Sequence, residues 1–415
     1  MIKHKEKGAG EKAFWDLERR CGSSDCLRRF TFALSIGLAV STALSCTVWA
    51  GPEFAYSAEK WETLRDNVME YHELADLIHE YNATVINNRL EYDKYRGKSH
   101  DDLKNAYQDM ADSLYSSSDK LVDSAVEGEA GYDSAMASAA LARVQAEQNQ
   151  ELADAQNEDG YIKKLEYDRA EAALIQSAQT KMNSYWQKEK NVPSLNEAVL
   201  SAKTEYEVMA VKAEGGMITQ AELLAAREKT ESAQAAVEAN QKEMDALKRE
   251  LCVMTGWSYD AQPDIREIPI PSLDEADVID LEADKELALK QNYTQNANER
   301  RLKHTNKGAQ YDVLEKKVET GRQQIAADVE SKYKLLKQAQ SDYALADGQY
   351  QLAVKDQQSA QLRYSLGALS RNGLLKSQGS LAGAQSARDV AALKFGQAME
   401  NYRWAVKGLA QAEGE

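Results

Sequence analysis

The sequence predicts an all-α protein made of two tandem repeats, each of them a long antiparallel coiled-coil helical hairpin. Three observations lead to this fold class. Only five of the 415 residues are proline, and the good helix formers Glu, Lys, Gln, Ala and Leu are abundant. Apolar residues recur at alternating spacings of three and four over long stretches, as in amphipathic helices. A short glycine-containing turn template lies between such stretches and occurs twice.

The turn template reads Gly, any residue, Ile or Leu, Ser or Thr, three variable residues, and Leu-Leu; its copies are residues 216–224 and 367–375. We expect each glycine to end a helix in the left-handed conformation, and each Ser or Thr to cap the next helix. In the first copy Glu222 lies three residues after Thr219 and completes a capping box. The predicted hairpin tips comprise Gly216, Met217, Ile218, Thr219, Gln220, Glu222, Gly367, Leu369, Ser370, Arg371 and Asn372.

The N-terminal segment resembles an export signal. Residues 1–29 carry eight Lys or Arg against five acidic residues, and residues 30–52 carry no charge. Small residues follow the apolar centre as far as Ala50, which predicts a signal peptide over residues 1–50. An uncleaved N-terminal anchor is the alternative, because 23 uncharged residues can span a hydrocarbon core of about 30 Å. A lipoprotein signal at Cys46 is a weaker alternative, since Leu and Ala precede it in the less usual order.

Charge and cysteine content exclude several classes of function. Without residues 1–50 the chain has 43 basic and 62 acidic residues, a formal charge of −19, which argues against nucleic-acid binding. Cys21, Cys26 and Cys46 would leave with the signal peptide. Cys252 alone would remain, so the mature chain has neither an intrachain disulfide nor a four-cysteine metal site.

The first repeat, residues 51–256, is predicted to begin with one helix over residues 59–96. Further helices are predicted over residues 101–127 and 132–190, with a kink or restart at Pro193. The apolar pattern then continues to the first tip, and the returning helix is predicted to end at Gly256.

A linker over residues 257–275 separates the repeats, because three of the five prolines fall there and proline disfavours helix before it. The second repeat, residues 276–415, is predicted to be nearly continuous helix up to its tip. Leu64-x-x-Asn67 aligns with Leu289-x-x-Asn292 at the starts of the repeats. This alignment leaves about 74 extra residues in the first repeat, which we place as a helical insertion at about 97–170.

The long helices of the second repeat follow a seven-residue pattern in which alanine alternates with a larger residue. A repeat of 3.5 residues per turn predicts a left-handed supercoil with close helix approach. Leu345, Leu352 and Leu366 form a second apolar stripe beside the main one. The second stripe indicates contact with more than one neighbouring helix.

The second tip lies within a longer motif, whose residues are Ala360, Arg363, Tyr364, Gly367, Ser370, Leu374, Leu375, Gln378, Leu381, Ala384 and Gln385. This motif resembles the second-repeat signature of TolC-type outer-membrane efflux proteins. With the exported N-terminus and the proline linker, the likeness covers most of residues 59–410. The family normally inserts a β-hairpin in each repeat, and this sequence shows no such strands. We therefore expect a TolC-like α-barrel protomer without the β-barrel.

The resemblance implies partners and a location. The family forms homotrimers whose hairpins enclose a hollow duct, with the turns facing a periplasmic-type adaptor (a membrane fusion protein) and an ABC or similar exporter. It implies an exported protein of the cell envelope, associated with the outer membrane.

No catalytic, cofactor or metal site is expected, and the protein is predicted not to be an enzyme. His72-Glu73 begins like a zinc-protease helix, but Asp76 stands where the second histidine should be. His72 and His79 are seven residues apart, and two residues do not make a closed metal site. Cys252 is expected to be a packing residue.

Two functions are compatible with the sequence. The first is a duct component of a tripartite-type efflux or secretion system. The second is a coiled-coil spacer of the envelope that conducts nothing. A third, the adaptor itself, fits less well, because adaptors also carry strand-rich domains.

Overall fold

The computed structural model describes residues 56–412, and the chain divides into two compact units, residues 1–65 and 66–415. The described part of the first unit contains helix α1 (Ala58–Arg65). The Tyr56 and Trp61 rings meet edge to face there, with their centroids 5.2 Å apart. The predicted signal peptide, residues 1–50, lies outside the described residues.

The structure is 81% helical, which confirms the predicted all-α fold class. The helices of the second unit are α2 (Leu74–Tyr81), α3 (Ala83–Tyr92), α4 (His100–Ser124), α5 (Tyr132–Ala155), α6 (Gly160–Glu214), α7 (Gln220–Met254), α8 (Leu281–Gln291), α9 (Tyr293–His304), α10 (Ala309–Ser365) and α11 (Arg371–Trp404). Among the described residues, no helix combines the length and the apolar character needed to cross a membrane.

Four long helices form the main layer of this unit. Helix α6 packs against α7 and α10 packs against α11, so each turn template joins one antiparallel hairpin. Helix α6 also packs along α11, which gives the layer the order α7, α6, α11, α10. Helices α7 and α10 are therefore the two edges of the layer.

A cluster of buried apolar residues joins the two helices of the second hairpin. Ile325 and Leu336 of α10 are buried there with Phe395 and Met399 of α11. The Tyr343 ring stacks on the Phe395 ring, with their centroids 6.3 Å apart. Full burial of such side chains stabilises the folded state by about 1.5–3 kcal/mol each, so this seam holds α10 and α11 together.

In each repeat an asparagine joins the start of the repeat to its end, and the two asparagines lie at corresponding points. Asn82 caps α3, because its side-chain oxygen accepts hydrogen bonds from two backbone N–H groups. Its side-chain NH2 donates to the Met254 carbonyl at the end of α7, at 2.8 Å. Asn292 caps α9 by accepting one backbone N–H group, and its amide donates to the Ala410 carbonyl beyond α11, at 2.7 Å. Each amide therefore ties the start of a repeat to the end of its returning helix.

A glycine at the end of each repeat allows this approach. Gly256 has φ +78°, and a Cβ there would lie 2.3 Å from Tyr81 Cβ. Gly408 has φ +118°, and a Cβ there would lie 2.6 Å from the Gln291 carbonyl oxygen. Tyr81 and Gln291 immediately precede the two capping asparagines. We call Asn82 with Gly256 the first lock, and Asn292 with Gly408 the second lock.

The locks correct the alignment of the two repeats. Asn82, and not Asn67, is the counterpart of Asn292, because Asn82 caps a helix and reaches the end of the returning helix of its hairpin, and Asn67 does neither. From Asn82 to Gly216 is 134 positions, and from Asn292 to Gly367 is 75. The first repeat therefore holds 59 extra residues between lock and tip, fewer than the alignment on Asn67 gave.

The helix predicted over residues 59–96 is broken by a short strand. Strand β1 (Val68–Met69) pairs in parallel with strand β2 (Asp264–Ile265) of the predicted linker. The Asp264 N–H donates to the Asn67 carbonyl at 2.9 Å. The linker thus returns to the start of the first repeat, a contact that helical periodicity does not reveal.

Two other helix predictions differ from the structure. The helix before the second tip is broken at the Asn292 cap and again between His304 and Ala309, so it is three helices. Of the kink or restart predicted at Pro193, the restart is wrong, since α6 continues through this residue. Packing of α6 along both α7 and α11 outweighs the hydrogen bond that proline removes.

The extra residues of the first repeat contain a hairpin of their own. Helices α4 and α5 pack against each other through buried small residues, among them Ala111, Ala139 and Ala146. The Ser118 hydroxyl donates to the Ala139 carbonyl across this seam, at 2.9 Å. We call residues 100–155 the short hairpin.

The base of the short hairpin is fixed to the second repeat. The His100 ring of α4 stacks on the His304 ring of α9, with centroids 4.6 Å apart and planes 2° apart. His304 contacts the buried carboxylate of Asp159, which also caps α6 and pairs with Arg300. Burial alone would raise the pKa of Asp159, but hydrogen bonds from Ile162 N–H and Arg300 lower it below its usual value. The ionised Asp159 therefore joins α6 to α9.

Candidate functional site

The two tips have the same backbone geometry, as the repeated template predicts. At the first tip the Met217 N–H donates to the Lys212 carbonyl at 2.8 Å. At the second tip the Ala368 N–H donates to the Arg363 carbonyl, also at 2.8 Å. Gly216 and Gly367 have φ +67° and +71°. Both long helices therefore end in a Schellman-type turn with a left-handed glycine.

Each tip then caps the returning helix with a hydroxyl group. Thr219 accepts a hydrogen bond from the Glu222 N–H at 3.2 Å, and the Glu222 carboxylate accepts from the Thr219 N–H at 2.7 Å. The hydrogen bonds that the Thr219 N–H and hydroxyl donate to the Glu222 carboxylate hold the pKa of Glu222 below its usual value. Ser370 accepts from the Gly373 N–H at 3.2 Å, but the glycine offers no carboxylate in return. The capping box is thus present at the first tip and half-formed at the second.

The remaining predicted tip residues divide by exposure. Ile218 and Leu369 hold matching positions and are half-buried against their own turns. The side chains that face solvent are Met217, Gln220, Arg371 and Asn372. Met217 is 69% exposed, so its side chain is accessible to a partner. The exposed group offers apolar, amide and cationic contacts.

A groove between the two long hairpins lies next to the tips. It is bounded by α6 on one side and the start of α11 on the other, and Asn372 is part of its wall. The other lining residues are Ser201, Thr204, Glu205, Val208, Met209, Lys212, Leu375 and Lys376. The groove therefore connects the end of α6 with the second tip, and α6 contributes side chains that the turn template does not include.

Sequence reasoning missed the α6 side of this groove. It considered only the apolar face of α6 that packs on α7, its partner in the hairpin. Because α6 also packs on α11, a second face of the helix is in contact. A second set of positions with spacings of three and four was present in Ser201, Thr204, Val208 and Lys212. That set indicates the α11 contact, but its polar members do not stand out by hydropathy.

The two histidines considered as a metal pair have separate partners. His72 Nδ1 lies 3.3 Å from a Glu70 carboxylate oxygen, and Glu73 completes a group whose possible ligand atoms lie within 4.8 Å of one another. His79 instead bonds Glu171 at 2.7 Å, and this bond raises the pKa of His79. The two rings therefore serve different local contacts.

Cys252 is buried at the end of α7, as a packing residue would be. Burial raises the pKa of its thiol, so the reactive thiolate is disfavoured at neutral pH.

Comparison with known proteins was made by sequence and by structure. No family model and no curated protein matches the sequence. A crystal structure described as a membrane protein from Pseudomonas aeruginosa matches with a TM-score of 0.53 and 12% identity, over 81% of this chain and 93% of that chain. The CmeC outer membrane channel of Campylobacter jejuni matches with a TM-score of 0.47 and 12% identity, over 89% and 92% of the two chains. The outer membrane protein VceC from Vibrio cholerae matches with a TM-score of 0.47 and 11% identity, over 82% of this chain and 97% of that chain.

The chain has the long-helix, all-α fold that the sequence predicts, and it shares this fold with the Pseudomonas aeruginosa membrane protein. The resemblance that the second-tip motif carries is thus confirmed at the level of the fold, and at this identity a structural likeness shows the fold alone.

Proposed function

We propose that this chain is an exported α-helical duct component of a tripartite-type efflux or secretion system in the cell envelope. It docks a periplasmic-type adaptor, and through it an ABC or similar exporter, by its two hairpin tips. The observation that carries the proposal is the pair of tips with matching geometry at the same end of one helical layer, within a TolC-like fold.

An exposed apolar stripe on an edge helix supports closure of the layer by further copies. Leu345, Leu352 and Leu366 of α10 are 63%, 62% and 74% exposed. Exposed apolar stripes of this kind usually mark interfaces. Because α10 is one edge of the layer, the natural cover is the opposite edge, α7, of a second copy. Head-to-tail pairing of unlike edges gives a ring when the rotation between copies closes, and the family resemblance sets this ring at three chains.

The opposite edge has a matching stripe of small residues. Ala225, Ser232 and Ala239 are exposed on α7 and spaced by seven. Ser232 is the thirteenth residue of α7 counted from the first tip, and Leu352 is the fourteenth from the end of α10 at the second tip. At about 1.5 Å per residue, both residues lie about 20 Å below the tips. Leucines of one copy can therefore pack over small residues of the next.

Disulfide cross-linking tests this interface. The test protein carries Ser232→Cys with Leu352→Cys, in a Cys252→Ala background without residues 1–50. We expect its cross-linked products to contain two and three chains, and none to contain more than three. Gln351→Cys in place of Leu352→Cys is the matched control, because Gln351 is the exposed neighbour on a different face of α10. Equal cross-linking by the control, or a series that stops at two chains, would contradict the trimer.

Export measurements test docking at the tips. We expect Arg371→Glu combined with Gln220→Glu to abolish export and leave the melting temperature unchanged, because both side chains are exposed and outside the caps. Weak contacts repeated at six tips gain strength from multivalency, so a change at every tip has a large combined effect. Unchanged export would remove the adaptor role and favour the structural spacer.

A further inference from the structure

The short hairpin presents a surface that the duct does not use. Its base is held by the His100–His304 ring stack and by the hydrogen bond from His100 Nε2 to the Gln156 carbonyl at 2.8 Å. Ser99 and Asp102 add a complete capping box at the start of α4. Beyond this base, α4 and α5 pack mainly against each other. The hairpin is therefore an arm with a fixed base and two largely uncovered outer faces.

The outer face of α5 carries an apolar stripe. The buried seam residues of α5 are Ala139, Ala146 and Ala153. At about 100° per residue, a second set of residues lies about 140–220° around the helix from Ala139, facing away from α4. Its polar members are Ser134 and Gln148, and its apolar members include Ala137, Leu141, Val144 and Leu152, which we call the α5 outer face. Leu141 is 60%, Val144 50% and Leu152 51% exposed.

Acidic residues border this face and dominate the whole short hairpin. Asp133, Glu147 and Glu151 are exposed along one flank of the α5 outer face. Residues 100–155 contain twelve Asp or Glu against three Lys or Arg, a formal charge of −9. The entire chain has a formal charge of −16, so over half of its net charge lies in this short segment. The arm combines an apolar stripe with a strong negative field.

We propose that the α5 outer face is a docking site for a basic amphipathic helix of another protein. The partner helix would lay leucine-like residues along Leu141, Val144 and Leu152 and pack on α5 on the side opposite α4. Its Lys or Arg residues would face Asp133, Glu147 and Glu151. This proposal does not rest on the proposed function, since it concerns a face that the tips and the edges of the layer do not include.

Charge selects this occupant over the alternatives. A second short hairpin would bring one charge of −9 against another, which disfavours a pairing between copies. Anionic lipid headgroups are repelled for the same reason. Apolar burial supplies the attraction along the stripe, and the acidic flank sets the orientation and speeds the encounter.

Fluorescence polarisation with two synthetic probes tests the proposal. The first probe is a labelled peptide of about three heptads with Leu at a and d and Lys at e and g. The second has Glu in place of every Lys. We expect the full chain to bind the Lys peptide at physiological salt, and to bind the Glu peptide at least about tenfold more weakly, because charge complementarity is lost.

Variants separate docking on this face from general attraction to an acidic protein. We expect Leu141→Gln with Val144→Gln and Leu152→Gln to weaken binding of the Lys peptide at least about tenfold, since apolar burial along the stripe is lost. The matched control is Val211→Gln with Leu224→Gln and Val253→Gln, three apolar residues that are exposed elsewhere. The control should bind as the unaltered chain does. Circular dichroism should show equal helix content in both variants, because all six side chains are exposed.

Three outcomes would overturn the proposal. The first is equal binding of the Lys peptide by the stripe variant and the control variant, which would leave only non-specific charge attraction. The second is a smaller oligomer for the stripe variant by light scattering, which would make this face a contact between copies. The third is flotation of the unaltered chain, but not the stripe variant, with zwitterionic phosphatidylcholine vesicles, which would make it a lipid contact.

Discussion

The two repeats share a lock and a tip and differ in what lies between them. In the second repeat α9 and α10 are separated by residues 305–308. In the first repeat the corresponding interval, between α3 and α6, is residues 93–159 and contains the short hairpin. The two intervals adjoin, because His100 stacks on His304 and Asn157 contacts Thr305. The fold therefore fixes the ends of each repeat and tolerates a large insertion between them, as loop-closure entropy allows.

The largest expected effect separates the lock glycines from the tip glycines. We expect Gly256→Ala and Gly408→Ala each to cost about 3 kcal/mol or more, because a Cβ there meets Tyr81 or the Gln291 carbonyl in addition to the left-handed strain. Gly216→Ala and Gly367→Ala have similar positive φ, but no atom lies within 4 Å of the added Cβ. They should cost only about 1 kcal/mol. Urea denaturation measures all four variants, and equal costs at lock and tip would show that the close approach is unimportant.

The lock asparagines should give the next largest effect. We expect Asn292→Ala to cost about 2–3 kcal/mol, since it removes a helix cap and leaves the Ala410 carbonyl without its donor. Asn82→Ala should cost the same or slightly less, because Asn82 is 7% exposed and Asn292 is 0% exposed. The comparison includes Asn67→Ala as the control. A cost for Asn67→Ala that equals the cost for Asn82→Ala would restore the alignment on Asn67.

The smallest expected effect is a pH dependence confined to the first repeat. The hydrogen bond to Glu171 raises the pKa of His79 in the folded protein. A raised folded pKa contributes stability below the unfolded value of about 6.5, and this stability is lost as the pH rises through the folded pKa. The contribution is small because His79 is 40% exposed. Melting temperatures at pH 5.5 and 8 should differ less in His79→Gln than in the unaltered chain, and an unchanged difference would contradict this role.

Local features were predictable from the sequence, and distant contacts were not. Gly216 and Thr219 act on backbone groups within a few residues, so the turn template was sufficient to predict both the turn and the cap. Asn82 acts on Met254, 172 residues away, and nothing near Asn82 identifies that carbonyl. The Leu-x-x-Asn pattern therefore led to Asn67 in place of Asn82 as the counterpart of Asn292.

The candidate site shows the same division between local and distant contacts. The exposed tip residues, such as Arg371, followed from the turn geometry. The α6 side of the groove depends on how the two hairpins pack, which the seam of a single hairpin does not specify.

One break in the long helix predicted for the second repeat was also missed. It lies between α9 and α10, before Gly308, and helical periodicity continues on both sides of it.

Single-particle electron microscopy of the purified chain without residues 1–50 tests the central claim most directly. The claim is that copies of the helical layer close through α7 and α10 around a hollow duct. We predict particles with threefold symmetry and a central lumen walled by twelve long helices, with the six tips at one end. A monomer, or a solid bundle without a lumen, would contradict the duct and leave the envelope spacer as the account of this chain.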